Sequence, residues 1–258
     1  MSFISKWQRA VEKKQSVLCV GIDPANQDQR QTNAIDLSLD KLSWTLNMIE
    51  AVAPFAAGIK LNRNYFKDCS ADQLSKLTGA IHSFDMVSID DSKIADIGDS
   101  NDAGIYHAKA QGFDAITYAP FPGNIGDTAH RAQTRDIGLI MLVMMSNPEF
   151  QTMSKASIDG EPFSDYLAKA VDQFNIEGMV IGAPSPSNHI SGQTIKHLDQ
   201  ISGGNKLALV PGVGAQGGSA ATIIDIFGPR AIINVGRAIT YAENPSEAAR
   251  GYLNELGI

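Results

Sequence analysis

The sequence predicts a single α/β domain over residues 1–258, a (β/α)8 TIM barrel with parallel strands. Three observations lead there. Eight short, apolar, β-rich segments alternate with longer stretches of helical character. A chain of 258 residues has the usual length for eight such units. Polar residues or glycine gather just after the carboxyl end of most segments, where barrels of this kind place their chemistry. Periodicity does not show closure, so a doubly wound open sheet is the alternative architecture.

In chain order, Val17–Ile22 is the first segment and leads into Asp23, and Phe55–Lys60 ends on Lys60. Met86–Asp90 runs into Asp91 and Lys93, and Ala115–Tyr118 ends on Tyr118, which either lines the pocket or packs. Leu139–Met144 precedes Ser146, and its methionines, Met141 and Met144, with Met145, fill the core around it. The polar stretch Gln151–Pro162 reads as an irregular excursion. Met179–Ile181 ends before Gly182, Leu207–Val210 before Pro211 and Gly212, and Ala231–Val235 before Gly236 and Arg237. Amphipathic patterns such as Leu39–Val52 and Ser219–Ile226 fit crossover helices. At the opposite ends, Gln111-Gly112-Phe113 and Asn175-Ile176-Glu177 look like solvated turns.

Composition narrows the function classes. A hydrophobic content of 43% is ample for a core, and a net charge of -7 with no Lys/Arg run argues against nucleic acid as a partner. Two cysteines, Cys19 in a strand and Cys69 in a loop, suggest neither a disulfide framework nor a metal cluster. Met1 to Trp7 lacks a signal peptide's apolar stretch, and no apolar run reaches membrane-spanning length, so the expected location is cytoplasmic, with no membrane partner. The five histidines are scattered without metal-ligand spacing.

Two motifs carry chemistry. Asp91-Ser92-Lys93-Ile94-Ala95-Asp96 sets two carboxylates around one lysine; in an extended strand residues two apart share a face, so Asp91 and Lys93 point together while Asp96 lies beyond. Taken in isolation, the same pattern also fits a surface ion pair at a strand-to-helix junction. Pro211-Gly212-Val213-Gly214-Ala215-Gln216-Gly217-Gly218 follows the seventh strand, where glycines let backbone N–H groups approach an anion. Gly236 and Arg237 after the eighth strand add exposed backbone and a forked cation. Phosphate sites in such barrels lie after strands seven and eight.

Taken together, these strings, with Gly21-Ile22-Asp23, Gly58-Ile59-Lys60, Met145-Ser146 and Val235-Gly236-Arg237, resemble the orotidine 5′-phosphate decarboxylase family over nearly the whole chain. The resemblance implies decarboxylation of orotidine 5′-monophosphate to UMP with no metal and no cofactor. It implies a catalytic network of Lys60, Asp91, Lys93 and Asp96, with Asp96 reaching the partner's site in a homodimer together with Ile97 and Ser100. Asp23 would hold the ribose, Ser146 the pyrimidine edge, and Gln216 would bridge the base and phosphate ends. Pro211, Gly212, Gly214, Gly217, Gly218, Gly236 and Arg237 would complete the phosphate end. Lys93 would stabilise and protonate the carbanion at ring carbon 6.

Ser92, Gly98, Asp99 and Ser100 depart from common family residues, and altered loop stiffness is the expected result. Two other functions stay open. A magnesium-dependent sugar-phosphate decarboxylase or aldolase of the same superfamily carries a similar motif but a glutamate where Lys60 stands. A catalytically silent nucleotide-phosphate binding barrel would keep Gln216 and Arg237 while losing the charged network.

Overall fold

The computed structural model of the chain describes residues 1–35, 40–185, 188, 190–213 and 220–256. The strands form β1 (Leu18–Ile22), β2 (Gly58–Asn62), β3 (Val87–Ile94), β4 (Ala115–Tyr118), β5 (Gly138–Met144), β6 (Gly178–Ile181), β7 (Leu207–Pro211) and β8 (Ala231–Val235). Neighbours run β1-β8-β7-β6-β5-β4-β3-β2, and β1 pairs with both β8 and β2, so the sheet closes and the open-sheet alternative falls. The ends differ from the predicted ones. β2 starts three residues later than expected and runs to Asn62, while β3 runs on to Ile94, carrying Asp91 and Lys93 inside the strand.

Helices Lys41–Val52, Ala71–Ser83, Gly98–Ala110, Ile125–Thr134, Phe163–Gln173, Gly192–Ile201 and Ala221–Phe227 link successive strands. Local chemistry sets their starts. The Asp40 carboxylate accepts from Ser43 N–H and caps the helix described from Lys41; Leu39, where it was expected to begin, lies outside the described residues. Ser70 and Gln73 form a reciprocal capping box. The helix expected from Ser219 is described from Ala221, Ser219 itself lying outside the described residues. The excursion after β5 is more ordered than predicted: a helical turn, Phe150–Met153, precedes an antiparallel pair, Ser157–Ile158 with Glu161–Pro162.

Strand alternation divides the core into two layers. Leu18, Val20 and Ile22 of β1 are fully buried and point outward under the helices, while Cys19 points inward, close enough to feel the charges of Lys60 and Asp91. Burial pushes the Cys19 thiol up to about 12, so it behaves as a small apolar filler. Tyr118 belongs to the outer layer; it is fully buried and its hydroxyl donates to Asn124 Oδ1 at 3.1 Å, which settles a packing role.

Before β1 lies an element outside the eight-unit reading. The helix Phe3–Lys14 precedes β1 and closes the amino-terminal mouth of the barrel. Trp7 is fully buried, its indole N–H donating to Pro229 O at 3.0 Å. Gly58 and Gly138, the first residues of β2 and β5, leave room for it: a Cβ on Gly58 would lie 3.1 Å from the Trp7 ring, and one on Gly138 would lie 2.5 Å from Phe3 Cβ. The two turns predicted as solvated are instead engaged, the second of them with this helix. Glu177 accepts from Phe3 N–H at 2.7 Å, while Gln111 and Phe113 are buried and Gln111 Oε1 accepts from Arg63 at 2.9 Å.

Asp114 ties this end together. Its carboxylate meets Lys6 Nζ at 2.8 Å, His82 Nε2 at 2.9 Å and Ser88 N–H at 2.9 Å, joining the first helix, the helix Ala71–Ser83 and β3. Burial works against its charge, yet these hydrogen bonds hold its pKa down to about 2. The depressed value means that its stabilisation is complete above the unfolded value of 3.8 and is lost as pH falls through about 2. Asp114→Asn is expected to cost about 1–3 kcal/mol in urea denaturation at neutral pH. The gap from the wild type should narrow as pH drops below 4, and a gap constant with pH would contradict this account.

Candidate active site

The interior of the barrel at its carboxyl end is organised by one carboxylate. Lys60 on β2 and Asp91 on β3 both face inward, and Lys60 Nζ lies 2.6 Å from Asp91 Oδ2. The other oxygen, Oδ1, meets Lys93 Nζ at 2.5 Å and the Thr117 hydroxyl of β4 at 3.1 Å. Burial would raise the Asp91 pKa, but the Lys60 and Lys93 ammoniums overcome it and hold the carboxyl far below the usual carboxylate range. Burial would likewise lower Lys60, and Asp91 followed by Asp23 outweighs it, leaving Lys60 above its ordinary value. The two lysines differ in access. The side chains of Lys60 and Asp91 are 9% and 8% exposed and that of Lys93 is 39% exposed, so Lys93 is the cation a ligand in the barrel mouth can reach.

The backbone brings Lys93 there by a route the extended-strand argument did not foresee. Lys93 has φ +48, and the β3–β4 register jumps between Asp90 and Ile94. The lysine joins Asp91 through a bulge and not through simple alternation. Asp90, on the outer side, is buried, and burial pushes its carboxyl up to about 6 against the nearby Arg63, whose Nε is 3.7 Å away. The Ser92 hydroxyl donates to Asp90 Oδ1.

The other predicted residues that the structure describes differ in how they are engaged. Asp23 follows β1; its carbonyl accepts from Tyr241 OH at 2.8 Å and Arg30 Nη2 at 3.1 Å, while its Oδ1 is buried with no partner among the described residues. Ser146 is half-buried beside Gly182, where a Cβ would stand 2.5 Å from Ser146 Cβ, so glycine is what admits the serine. Pro211 ends β7 and Gly212 takes φ +98, a conformation suited to glycine. Gly214, Gln216, Gly217 and Gly218 lie outside the described residues. Gly236 sits against β1, a Cβ there lying 3.3 Å from Gly21 O, and the exposed Arg237 follows it.

Asp96, Ile97 and Ser100 are exposed and form no ion pair with either lysine within the chain. Asp96 Oδ1 accepts from Ile97 N–H at 2.8 Å, its own N–H donates to Asn101 Oδ1 at 3.0 Å, and its carbonyl accepts from Asn124 Nδ2 at 3.2 Å. One chain therefore assembles Lys60, Asp91 and Lys93 and leaves Asp96 at the surface.

Sequence reasoning passed over Thr117, Asp90, Arg30 and Asn234. Arg30 lies over the rings of Tyr241 and Tyr65, at 5.0 and 5.7 Å, and pins the loop after β1. Asn234 Oδ1 is buried without a partner among the described residues, next to Gly21. Strand parity was the available signal: Thr117 and Asn234 fall on the inward face of their strands.

Removing Lys60 leaves a buried carboxylate with one ammonium instead of two. Lys60→Ala is expected to destabilise the fold by about 3–5 kcal/mol in denaturant titration. A loss under about 1 kcal/mol, the scale of exposed pairs, would contradict the burial argument.

Comparison with known proteins bears on the chain as a whole. A family model described as Orotidine 5'-phosphate decarboxylase / HUMPS family matches residues 16–252. A relative from Cupriavidus necator named orotidine 5'-phosphate decarboxylase is 30% identical, with 98% of this chain and 94% of the relative covered. Another of that name, from Delftia acidovorans, is 31% identical over 96% of this chain and 93% of its own. The solved structure of Leishmania donovani OMP decarboxylase superposes with TM-score 0.81 at 23% identity, covering 99% of this chain and 97% of that one, and corroborates the fold. With the match running from just before β1 to residue 252, the chain belongs to the orotidine 5'-phosphate decarboxylase / HUMPS family.

Proposed function

We propose that the protein decarboxylates orotidine 5′-monophosphate to UMP in pyrimidine biosynthesis, without metal or cofactor, using Lys93 as the group that stabilises and protonates the product carbanion. The family and the names of the relatives support the decarboxylase assignment. The observation that carries the mechanism is the buried Asp91 carboxylate with one ammonium on each oxygen, of which only the Lys93 ammonium reaches the open mouth.

Cleaving the bond between ring carbon 6 and the carboxylate leaves the electron pair on carbon 6 as carbon dioxide departs. A fixed ammonium stabilises that charge electrostatically and then donates the proton that ends the reaction. At ~4 Å and an effective dielectric of ~20 such a pair contributes about 4 kcal/mol, so this contact alone cannot account for a large acceleration. Asp91 anchors the ammonium and stands near the substrate carboxylate, where like-charge contact is relieved as carbon dioxide leaves. Binding of ribose by Asp23, of the pyrimidine edge by Ser146 and of phosphate by Gly236 and Arg237 supplies orientation. In this reading Gln216 bridges the base and phosphate ends, and Pro211, Gly212, Gly214, Gly217 and Gly218 complete the phosphate end.

The exposed Asp96 and Ile97, which is 62% exposed, support a homodimer in which each copy lends Asp96 to the other's site. Cys19 and Cys69 are both free, which fits a reducing cytoplasm. The magnesium-dependent alternative is disfavoured because the Lys60 ammonium occupies the flank of Asp91 at 2.6 Å, where a divalent ion would be repelled.

Loss of orotidine monophosphate absorbance, followed with and without a chelator, tests the reading. Chelator-resistant conversion to UMP is expected, with Lys93→Ala slower by at least about 10²–10³-fold. A folded wild type that leaves the substrate untouched would overturn it. For the shared site, mixing Lys93→Ala and Asp96→Ala proteins should restore activity through heterodimers with one intact site. No recovery on subunit exchange would count against the sharing of Asp96.

A further inference from the structure

We propose that Thr117 is a positioning residue for the catalytic pair, fixing the backbone of Lys93 and the carboxylate of Asp91 through one hydroxyl. The inference rests on the reading of Lys93 as the reacting ammonium. β3 and β4 are in register at Ile89↔Ala115 and Asp90↔Ile116, and again at Ile94↔Tyr118. Asp91, Ser92 and Lys93 therefore all face the single residue Thr117. A bulge of this size forfeits ladder bonds, and each backbone N–H inside it needs another acceptor.

Thr117 supplies one. Lys93 N–H donates to Thr117 Oγ1 at 2.9 Å, and the hydroxyl lies 3.1 Å from Asp91 Oδ1. An ionised carboxylate can only accept, so the hydroxyl proton goes to Asp91 while an oxygen lone pair takes the Lys93 N–H. The alternative acceptor for that proton, Asp90 O, is farther, at 3.5 Å. Both bonds thus run through one oxygen, and Asp91 Oδ1 is the same atom that holds Lys93 Nζ at 2.5 Å. Backbone, ammonium and carboxylate close a ring through Thr117.

The ring explains the left-handed backbone of Lys93, at φ +48. Lysine has no preference for that conformation, and it persists where surrounding contacts over-determine it. Thr117 is 1% exposed and β-branched, so its χ1 is held by packing and its hydroxyl direction is fixed. On the outer side the Ser92 hydroxyl bonded to Asp90 pins the same bulge. Thr117 acts through Lys93 and Asp91 and so should leave nucleotide affinity nearly untouched.

Thr117→Val keeps the shape and deletes the hydroxyl. It is expected to lower kcat by about 10²-fold through displacement of the ammonium, with KM and UMP affinity changed only a few-fold. Thr117→Ser should recover most of kcat because it restores the oxygen. Wild-type kcat in Thr117→Val, an equal deficit in Thr117→Ser, or a fall in UMP affinity matching the fall in kcat would each overturn the inference while active wild type left the functional reading intact. Inactive wild type would sink that reading instead. A crystal structure of Thr117→Val, or of Thr117→Ala if the valine variant does not fold, then decides the positioning role. Lys93 should leave its left-handed φ, and an unmoved Lys93 would refute it.

Discussion

A carboxylate buried inside a closed barrel is costly unless its charge is answered on the spot, and Asp91 is answered twice, by Lys60 on one oxygen and Lys93 on the other. The consequences spread outward from that constraint. Lys60 is almost wholly enclosed, so it serves as the permanent counter-ion. Lys93 is partly open, so its charge faces whatever enters the mouth. The three groups together keep a cation fixed at the rim before any ligand arrives, which is the preorganisation an electrostatic mechanism requires.

Closure of the barrel is what makes the arrangement rigid. Parallel pairing from β1 round to β8 and back fixes which residues face inward, and in β3 a bulge with a left-handed Lys93, in place of regular alternation, sets Lys93 beside Asp91. The opposite mouth is closed by an independent set of contacts, Trp7, Phe3 and the Asp114 cluster. The charged rim and the contacts that close the other mouth thus occupy opposite ends of the same strands.

Much of this was legible in the sequence, for physical reasons. Apolar β-rich runs ending in charge or glycine marked the strand ends, and Lys60, Asp91 and Lys93 stood out because other polar residues and glycines gather at comparable strand ends and because the strings resemble a family motif, since Asp91 and Lys93 alone also fit a surface ion pair. What escaped was whatever depends on pairing between segments. Thr117 inside Ala-Ile-Thr-Tyr reads as an ordinary strand former until the register with β3 is known. The left-handed Lys93 leaves no trace in residue type, since glycine or asparagine is the usual signal. The helix Phe3–Lys14 fits no βα repeat, and only the glycines at the starts of β2 and β5 reveal where it docks. Asp96 was legible as part of the motif, yet in the single chain it is exposed, and the role proposed for it requires a second copy.

The central claim, that the nucleotide sits with its reacting carbon against the Lys93 ammonium, is tested most directly by a crystal structure of the protein with UMP. The account requires ring carbon 6 in contact with Lys93 Nζ, the 5′-phosphate at Gly236 and Arg237, and Asp96 of a second copy beside the lysine. A pyrimidine turned away from Lys93, or a phosphate held elsewhere on the barrel, would contradict it.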